Sequence, residues 1–317
     1  MKKYFIMAAI AAVTLASCST ADDEVATNPS KTTDPVAVTL SNTLSKATTR
    51  ANTTLQTEYI ASTVKVGVSV FRKDATAASG LGNYGYVNKQ YNANGSGSLT
   101  VEAGSEVYYP ADKGAVDIYA YAPMKTGVTD ATAAMDFSVA ESQSTDDNYL
   151  ASDLIYSELK NVSSSTTAQS LTFAHKLTRI GVVLTAGSGV NATDLATATI
   201  KIKNTKLATT FVPTTGVITA PAAETNATDI TASTNSDKGY AIIVPQTVAL
   251  VDGGTPFIEI TIGTNTYVYK LEAAATFAAA TQYTYNLTLK TNGVTLTSTK
   301  ITAWTDAADV TKDVTEN

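Results

Sequence analysis

The sequence predicts an all-β protein made of two tandem sandwiches. Three observations carry that expectation. Short segments alternate apolar and polar side chains, the period of a half-buried strand. Clusters of Gly, Asn, Asp and Pro punctuate them at short intervals, and no stretch beyond a turn or two reads as a helix. Thr, Ala, Ser and Val dominate a composition in which only 16% of residues are charged, the profile of an extracellular β-protein rather than a cytosolic enzyme. A chain of 317 residues has room for two domains of roughly 150 residues each.

The chain opens with Lys2 and Lys3 ahead of an apolar run from Tyr4 to Ala16. That run is too short for a membrane-spanning helix, which needs roughly 20 residues. It ends in Leu15-Ala16-Ser17-Cys18, the pattern of a bacterial lipoprotein processing site. Residues 1–17 then form the signal peptide and the Cys18 thiol becomes the lipid attachment point. If the signal is an ordinary secretory one instead, the protein is exported all the same. Cys18 is the only cysteine, so its consumption excludes disulfides and thiolate metal sites.

Residues 19–35 are polar, with the acidic cluster Asp22-Asp23-Glu24, and read as a solvated tether. Val36, Val38 and Leu40 then alternate with small or polar partners, which predicts a first strand. Residues 45–52 read as an exposed loop. Val64 to Val70 alternate cleanly, residues 79–98 suggest turns and short edge strands, and GAVDIYAYAP (114–123) is a strand. Residues 142–148 read as a polar loop, and a strand starts at 153–156. The polar stretch 161–168 is the natural domain boundary. Strands resume at LTFAHKLTRIGVVLT (171–185) and continue through 198–203, 239–245, 257–262, 266–271 and 282–290. The last apolar positions are Val294, Leu296, Ile301 and Trp304.

Few residues suggest chemistry. The net charge of -6 argues against nucleic acid, which needs a basic patch. The single histidine, His175, has no second histidine with which to share a metal and reads as a core residue hydrogen-bonded to backbone. Asp146, Asp147 and Asn148 lack the spacing of a calcium loop. The tyrosines, 16 in all, lie mostly at strand positions, where tyrosine simply fits a pleated surface. Of the three arginines, Arg72 and Arg179 fall in predicted strands, whereas Arg50 lies in a flexible polar segment. Arg50-Ala51 is therefore the bond open to an arginine-specific protease, unless Arg50 is only a solubilising charge.

The ordered set of Tyr109-Pro110 with VDIYAYAP, DLIY (153–156), LTFAHKLTRI, IIVPQT, FAAATQYTYNLTL (277–289) and ITAW, behind a lipoprotein signal, resembles the fimbrillins of Bacteroidota. The acidic cluster after Cys18 is similar to the surface-export signal of their lipoproteins, and equally to a plain acidic linker. The resemblance implies two transthyretin-like, Greek-key β-sandwiches at 51–165 and 166–317, with a structural role and neither catalysis nor cofactor. It implies a lipidated propeptide at 18–50, anchored in the outer membrane and removed by an arginine-specific protease after Arg50. The loss of the first strand (Val36, Val38, Leu40) would open a groove for a C-terminal donor strand (Val294, Leu296, Ile301, Trp304) from another fimbrillin subunit. The working protein would then stand in a cell-surface fimbrium and meet a host or bacterial surface receptor. Anchor and tip subunits share the architecture. A monomeric glycan-binding surface lipoprotein and a secreted β-sandwich hydrolase are the rival readings.

Overall fold

The protein is described by a computed structural model covering residues 34–45, 58–73, 85–219 and 228–304. Its first strands are β1 (Leu40–Leu44), β2 (Lys65–Arg72), β3 (Gly85–Ala93), β4 (Ser98–Val101), β5 (Val116–Ala122), β6 (Met135–Ser138), β7 (Ile155–Val162) and β8 (Gln169–His175). Seven of these, all but β6, close into a barrel in the order β1-β4-β3-β2-β5-β7-β8. The expected all-β class holds, and in this half the sandwich faces are joined through β1 into one closed sheet. The barrel is filled by residues with no exposed surface, among them Val66, Val68, Val70, Ile118, Leu171 and Phe173.

The chain continues through β9 (Thr178–Ala186), β10 (Thr199–Thr205), β11 (Ala208–Val212), β12 (Val217–Thr219), β13 (Thr228–Thr231), β14 (Ser233–Asn235) and β15 (Lys238–Ile243). Then come β16 (Gln246–Val248), β17 (Thr255–Ile262), β18 (Asn265–Leu271), β19 (Ala275–Phe277), β20 (Thr281–Lys290) and β21 (Gly293–Ala303). They form a five-stranded sheet β14-β15-β9-β20-β21, a four-stranded sheet β13-β10-β17-β18 and the pair β16-β19. A three-stranded sheet, β12-β11-β6, borrows β6 from the first half. The strands enclose a second core containing Ile180, Ile202, Ile258 and Leu287, with Phe257 stacked on Phe277 at 4.9 Å.

Chain continuity ties the two cores together. β8 passes into β9 across only Lys176 and Leu177, and Leu177 is fully buried. The boundary expected between residues 165 and 166 passes between β7 and β8, which pair in one sheet, and all the described strands cluster as one unit.

Three local expectations are corrected. Much of residues 79–98, read as turns and short edge strands, is β3, an interior strand between β2 and β4. Its polar sequence obscures a buried Tyr91 and a bulge at Asn88, whose positive φ of 49° shifts the register between Val68 and Val70. The bulge is held by the Tyr121 hydroxyl, which donates to Asn88 Oδ1 at 2.8 Å, and by Asn88 Nδ2, which donates to the Lys125 carbonyl at 2.7 Å. The polar stretch 142–148, read as loop, runs into a short helix, α1 (Asp146–Ser152). Thr145 caps it by accepting from the Asn148 amide, and Asp146 and Asp147 meet the positive end of its dipole. Tyr149 and Leu150 anchor its buried face. Third, His175 bonds a carboxylate and not backbone: its Nδ1 lies 2.7 Å from Asp153 Oδ1.

Phe257→Ala should lower stability by about 3–5 kcal/mol, because it removes a fully buried ring from rigid surroundings. Denaturant unfolding would show this as a lower midpoint with an unchanged slope.

Candidate subunit-docking groove

The residues of the predicted first strand sit where the barrel closes. Val36 to Leu44 place alternate side chains inward: Val36 is half-buried, while Val38, Leu40, Asn42 and Leu44 are 3%, 3%, 1% and 4% exposed. Strand period two dictates that pattern once one face meets a core. The expected bounds are corrected: β1 begins at Leu40, where the predicted strand ends, while residues 36–39 lead into it with one isolated bridge, Ala37 to Tyr108, and the polar Asn42 conceals the continuation to Leu44.

β1 pairs on both edges. It lies parallel to β8 from Leu40↔Gln169 to Leu44↔Phe173, and antiparallel to β4 at Leu40↔Leu99 and Ser41↔Ser98. Upstream, Val38 N–H donates to the Val107 carbonyl and Tyr109 N–H to the Val36 carbonyl, both at 2.8 Å. Downstream, Asn42 N–H donates to Gly97 at 2.7 Å and Leu44 N–H to Glu58 at 2.8 Å. Gly97 turns that carbonyl inward with φ of +98°, where any Cβ would also press to within 2.9 Å of the Tyr59 ring.

Two side-chain contacts reinforce the seat. The Tyr91 hydroxyl donates to the Val38 carbonyl at 3.1 Å. Burial first, then the neighbouring Tyr109 and Tyr86, hold that hydroxyl well above the usual phenol range, so it remains a donor. The Ile60 amide donates to Asn42 Oδ1 at 2.9 Å. The fit is incomplete, however: Asn42 Nδ2 and the Tyr109 hydroxyl are buried without a hydrogen-bond partner. Each such group costs about 1–3 kcal/mol.

At the other end of the chain, β21 is an edge strand paired only with β20. Val294 and Leu296 are half-buried against the second core. An irregularity between Asn286 and Leu287 leaves Thr297 as an extra residue in the ladder. Past that irregularity Ile301 stands opposite the buried Tyr283 and is 49% exposed. Trp304, 2% exposed, stacks on the His175 ring at 4.0 Å with 2° between planes. Asp153, His175 and Trp304 thus bind α1, β8 and the end of β21 to one another, a triple contact the sequence spacing does not disclose.

Cys18, Arg50 and Ala51 lie outside the described residues. Of the other two arginines, Arg72 ends β2 with an exposed side chain that bonds Asp112, and Arg179 in β9 is buried with its guanidinium 4.2 Å from the Tyr240 ring centre. Among the described residues no cluster of His, Cys, Asp or Glu is arranged to hold a metal, and no helix is long and apolar enough to cross a membrane.

Comparison with known proteins points the same way. A sequence profile of the family described as fimbrillin-like matches residues 19–304. A candidate fimbrium subunit of Bacteroides uniformis is 27% identical over 246 residues, spanning 76% of this chain and 77% of that protein. The fold is similar to that of a candidate cell adhesion protein from Bacteroides uniformis, with a TM-score of 0.62 at 22% identity over 85% of this chain and 98% of that one. A second such protein, from Bacteroides ovatus, gives a TM-score of 0.64 at 19% identity over 86% and 99% of the two chains.

Leu40→Ala should cost about 2–5 kcal/mol in the intact chain and speed hydrogen exchange at the Gln169 amide, which donates to the Thr39 carbonyl at 2.9 Å. Exchange unchanged at that amide would argue that β1 contributes little to closure. His175→Ala should expose the only tryptophan in the chain, Trp304, and shift its fluorescence emission to the red. An unshifted spectrum would mean that the stack does not seat Trp304.

Proposed function

The chain belongs to the fimbrillin-like family, and from that premise we propose that it is a polymerising, stalk-type fimbrial subunit whose first strand is a removable plug. Membership makes it a structural and adhesion subunit of the cell surface, not an enzyme. The finer reading begins with export as a lipoprotein, carried to the outer membrane by a lipid on Cys18. An arginine-specific protease then cuts after Arg50, leaving 317 − 50 = 267 residues.

The observation that carries this reading is the place of β1 as the one strand joining β4 to β8. A cut after Arg50 leaves β1 held by noncovalent contacts alone. Its departure strips partners from two strand edges and bares the sites of Val38, Leu40 and Leu44. Burying three such aliphatic side chains stabilises by roughly 1.5–3 kcal/mol each, and each backbone bond adds about 0.5–1.5 kcal/mol. A groove of that kind demands a replacement strand, and strand addition supplies one.

The donor is the C-terminal segment from Gly293 onward of a neighbouring subunit. Donor and groove occupy different surfaces, so the contact is heterologous and propagates into a filament. The position of the subunit along the stalk brings the fimbrium to a host or bacterial surface receptor.

Treating the purified full-length protein with an arginine-specific endoprotease should yield a new N-terminus at Ala51 and a ladder of SDS-resistant multimers. Arg50→Ala should give neither. A cleaved product that stays monomeric and retains its first strand would sink the reading.

A further inference from the structure

The resident strand and the C-terminal edge strand carry nearly the same heptapeptide. Residues 38–44 read Val-Thr-Leu-Ser-Asn-Thr-Leu, and residues 294–300 read Val-Thr-Leu-Thr-Ser-Thr-Lys. Four of the seven places are identical (Val38/Val294, Thr39/Thr295, Leu40/Leu296, Thr43/Thr299), Ser41 faces Thr297, and Asn42 faces Ser298. The first three residues alone also occur at 13–15, but the polar places that follow do not.

The match extends to orientation over the first half of the segment. In β1 the inward places are Val38, Leu40, Asn42 and Leu44. In β21 Val294 and Leu296 lie opposite the buried Leu289 and Leu287, Thr295 and Thr297 point out as Thr39 does, and the extra residue Thr297 then turns Ser298 to the outer face, where its hydroxyl accepts from Asn286 Nδ2 at 2.8 Å. Straightened in the groove, residues 294–300 regain period two and bring Ser298 and Lys300 onto the face of Val294 and Leu296, with no register slip.

We propose that the occupant of the groove is residues 294–300 of a second copy of this chain, seated place for place on the register of residues 38–44. This rests on the donor-strand reading above and adds to it the partner and the alignment. Val294 takes the Val38 site and offers its carbonyl to the Tyr91 hydroxyl. Leu296 fills the Leu40 site between Leu99 and Gln169. Ser298 puts a hydroxyl where Asn42 accepts from the Ile60 amide, and it leaves no buried side-chain N–H like Asn42 Nδ2 unmatched. Lys300 comes to the Leu44 site, beside Glu58, whose exposed side chain supplies an acidic neighbour at the mouth of the groove. A lysine stem can lie along an apolar wall with its ammonium at the rim. Ile301, five residues from Leu296 and of opposite parity, faces away in this register.

The exchange runs toward better pairing. At home β21 is laddered on one side only, with Val294 and Leu296 half-buried. In the groove the same residues pair on two sides, at sites whose present occupants are 3% exposed. The free subunit therefore stores its donor on its own sheet edge, in a less satisfied state than the one the groove provides.

Cysteine pairing tests the register directly, because cleavage after Arg50 removes the only native cysteine, Cys18. The Thr43 and Thr172 hydroxyls lie 3.3 Å apart across β1 and β8. Thr299 takes the place of Thr43, so Thr299→Cys with Thr172→Cys should give disulfide-linked multimers on non-reducing gels, dependent on cleavage. Thr297→Cys with Thr172→Cys is displaced by two residues, roughly 6.6 Å along the strand, beyond the reach of a disulfide. It should not link. In a separate variant, Ile301→Asp should leave the ladder intact.

A ladder without the matched cross-link, or with the displaced pair linking instead, overturns the register while the donor-strand reading stands. Loss of the ladder in Ile301→Asp also counts against the register. If cleaved protein without engineered cysteines forms no ladder at all, the underlying reading falls and the register falls with it.

Discussion

The barrel is closed by β1, the one strand that joins β4 to β8. β1 is parallel to β8 and antiparallel to β4, and without it the seven-stranded sheet has two free edges over an apolar interior. Backbone N–H and C=O groups along those edges need partners, since orphaned polar groups beside a dry core are costly. Everything else in the first half presupposes that closure. Ile60 is fully buried, and its amide is satisfied by the Asn42 side chain. The Tyr91 hydroxyl, kept protonated by burial, has its acceptor on β1 as well.

The closing strand is also imperfect. Asn42 interrupts an aliphatic face and satisfies only one end of its amide, and Tyr109 beside Val36 keeps a buried hydroxyl without a partner. An aliphatic residue at that place would avoid the unmatched amide, so β1 completes the barrel with less than the full stabilisation its position allows. The β8 to β9 junction links this arrangement to the second core, because two residues separate β8, which pairs with β1, from the strand that pairs in parallel with β20. The His175–Trp304 stack joins the same strand to the end of β21. β1, β8 and β21 are thus parts of one continuous framework.

Much of this was legible in the chain, for physical reasons that differ from place to place. Val36, Val38 and Leu40 announced an inward-facing edge of the core, because period-two alternation is a local property, although the strand itself starts only at Leu40. Arg179 was legible as buried because it sits within such a segment, whereas Arg72 closes β2 with its side chain in solvent. Leu44 was not assigned to the strand, since a buried asparagine broke the apolar series that periodicity relies on. β3 was misread for a related reason: its Asn, Gly and Lys residues look like turn chemistry, and only the Tyr121–Asn88 contact, 33 residues apart, explains how they stay in a sheet. The helix at 146–152 was missed because seven residues are too few for periodicity to register, although Thr145 and the two aspartates after it form a recognisable cap.

By itself the sequence determined the all-β class and the alternation from Val36 to Leu40, because each depends on near neighbours along the chain. Tertiary structure alone decided what those segments touch. Closure of the barrel by β1 requires pairing between residues 40–44 and 169–173, and the carboxylate partner of His175 is a residue of the α1 cap. Long-range pairing leaves no local signature, since its free energy comes from edges and cavities that exist only after the rest of the chain has folded around them.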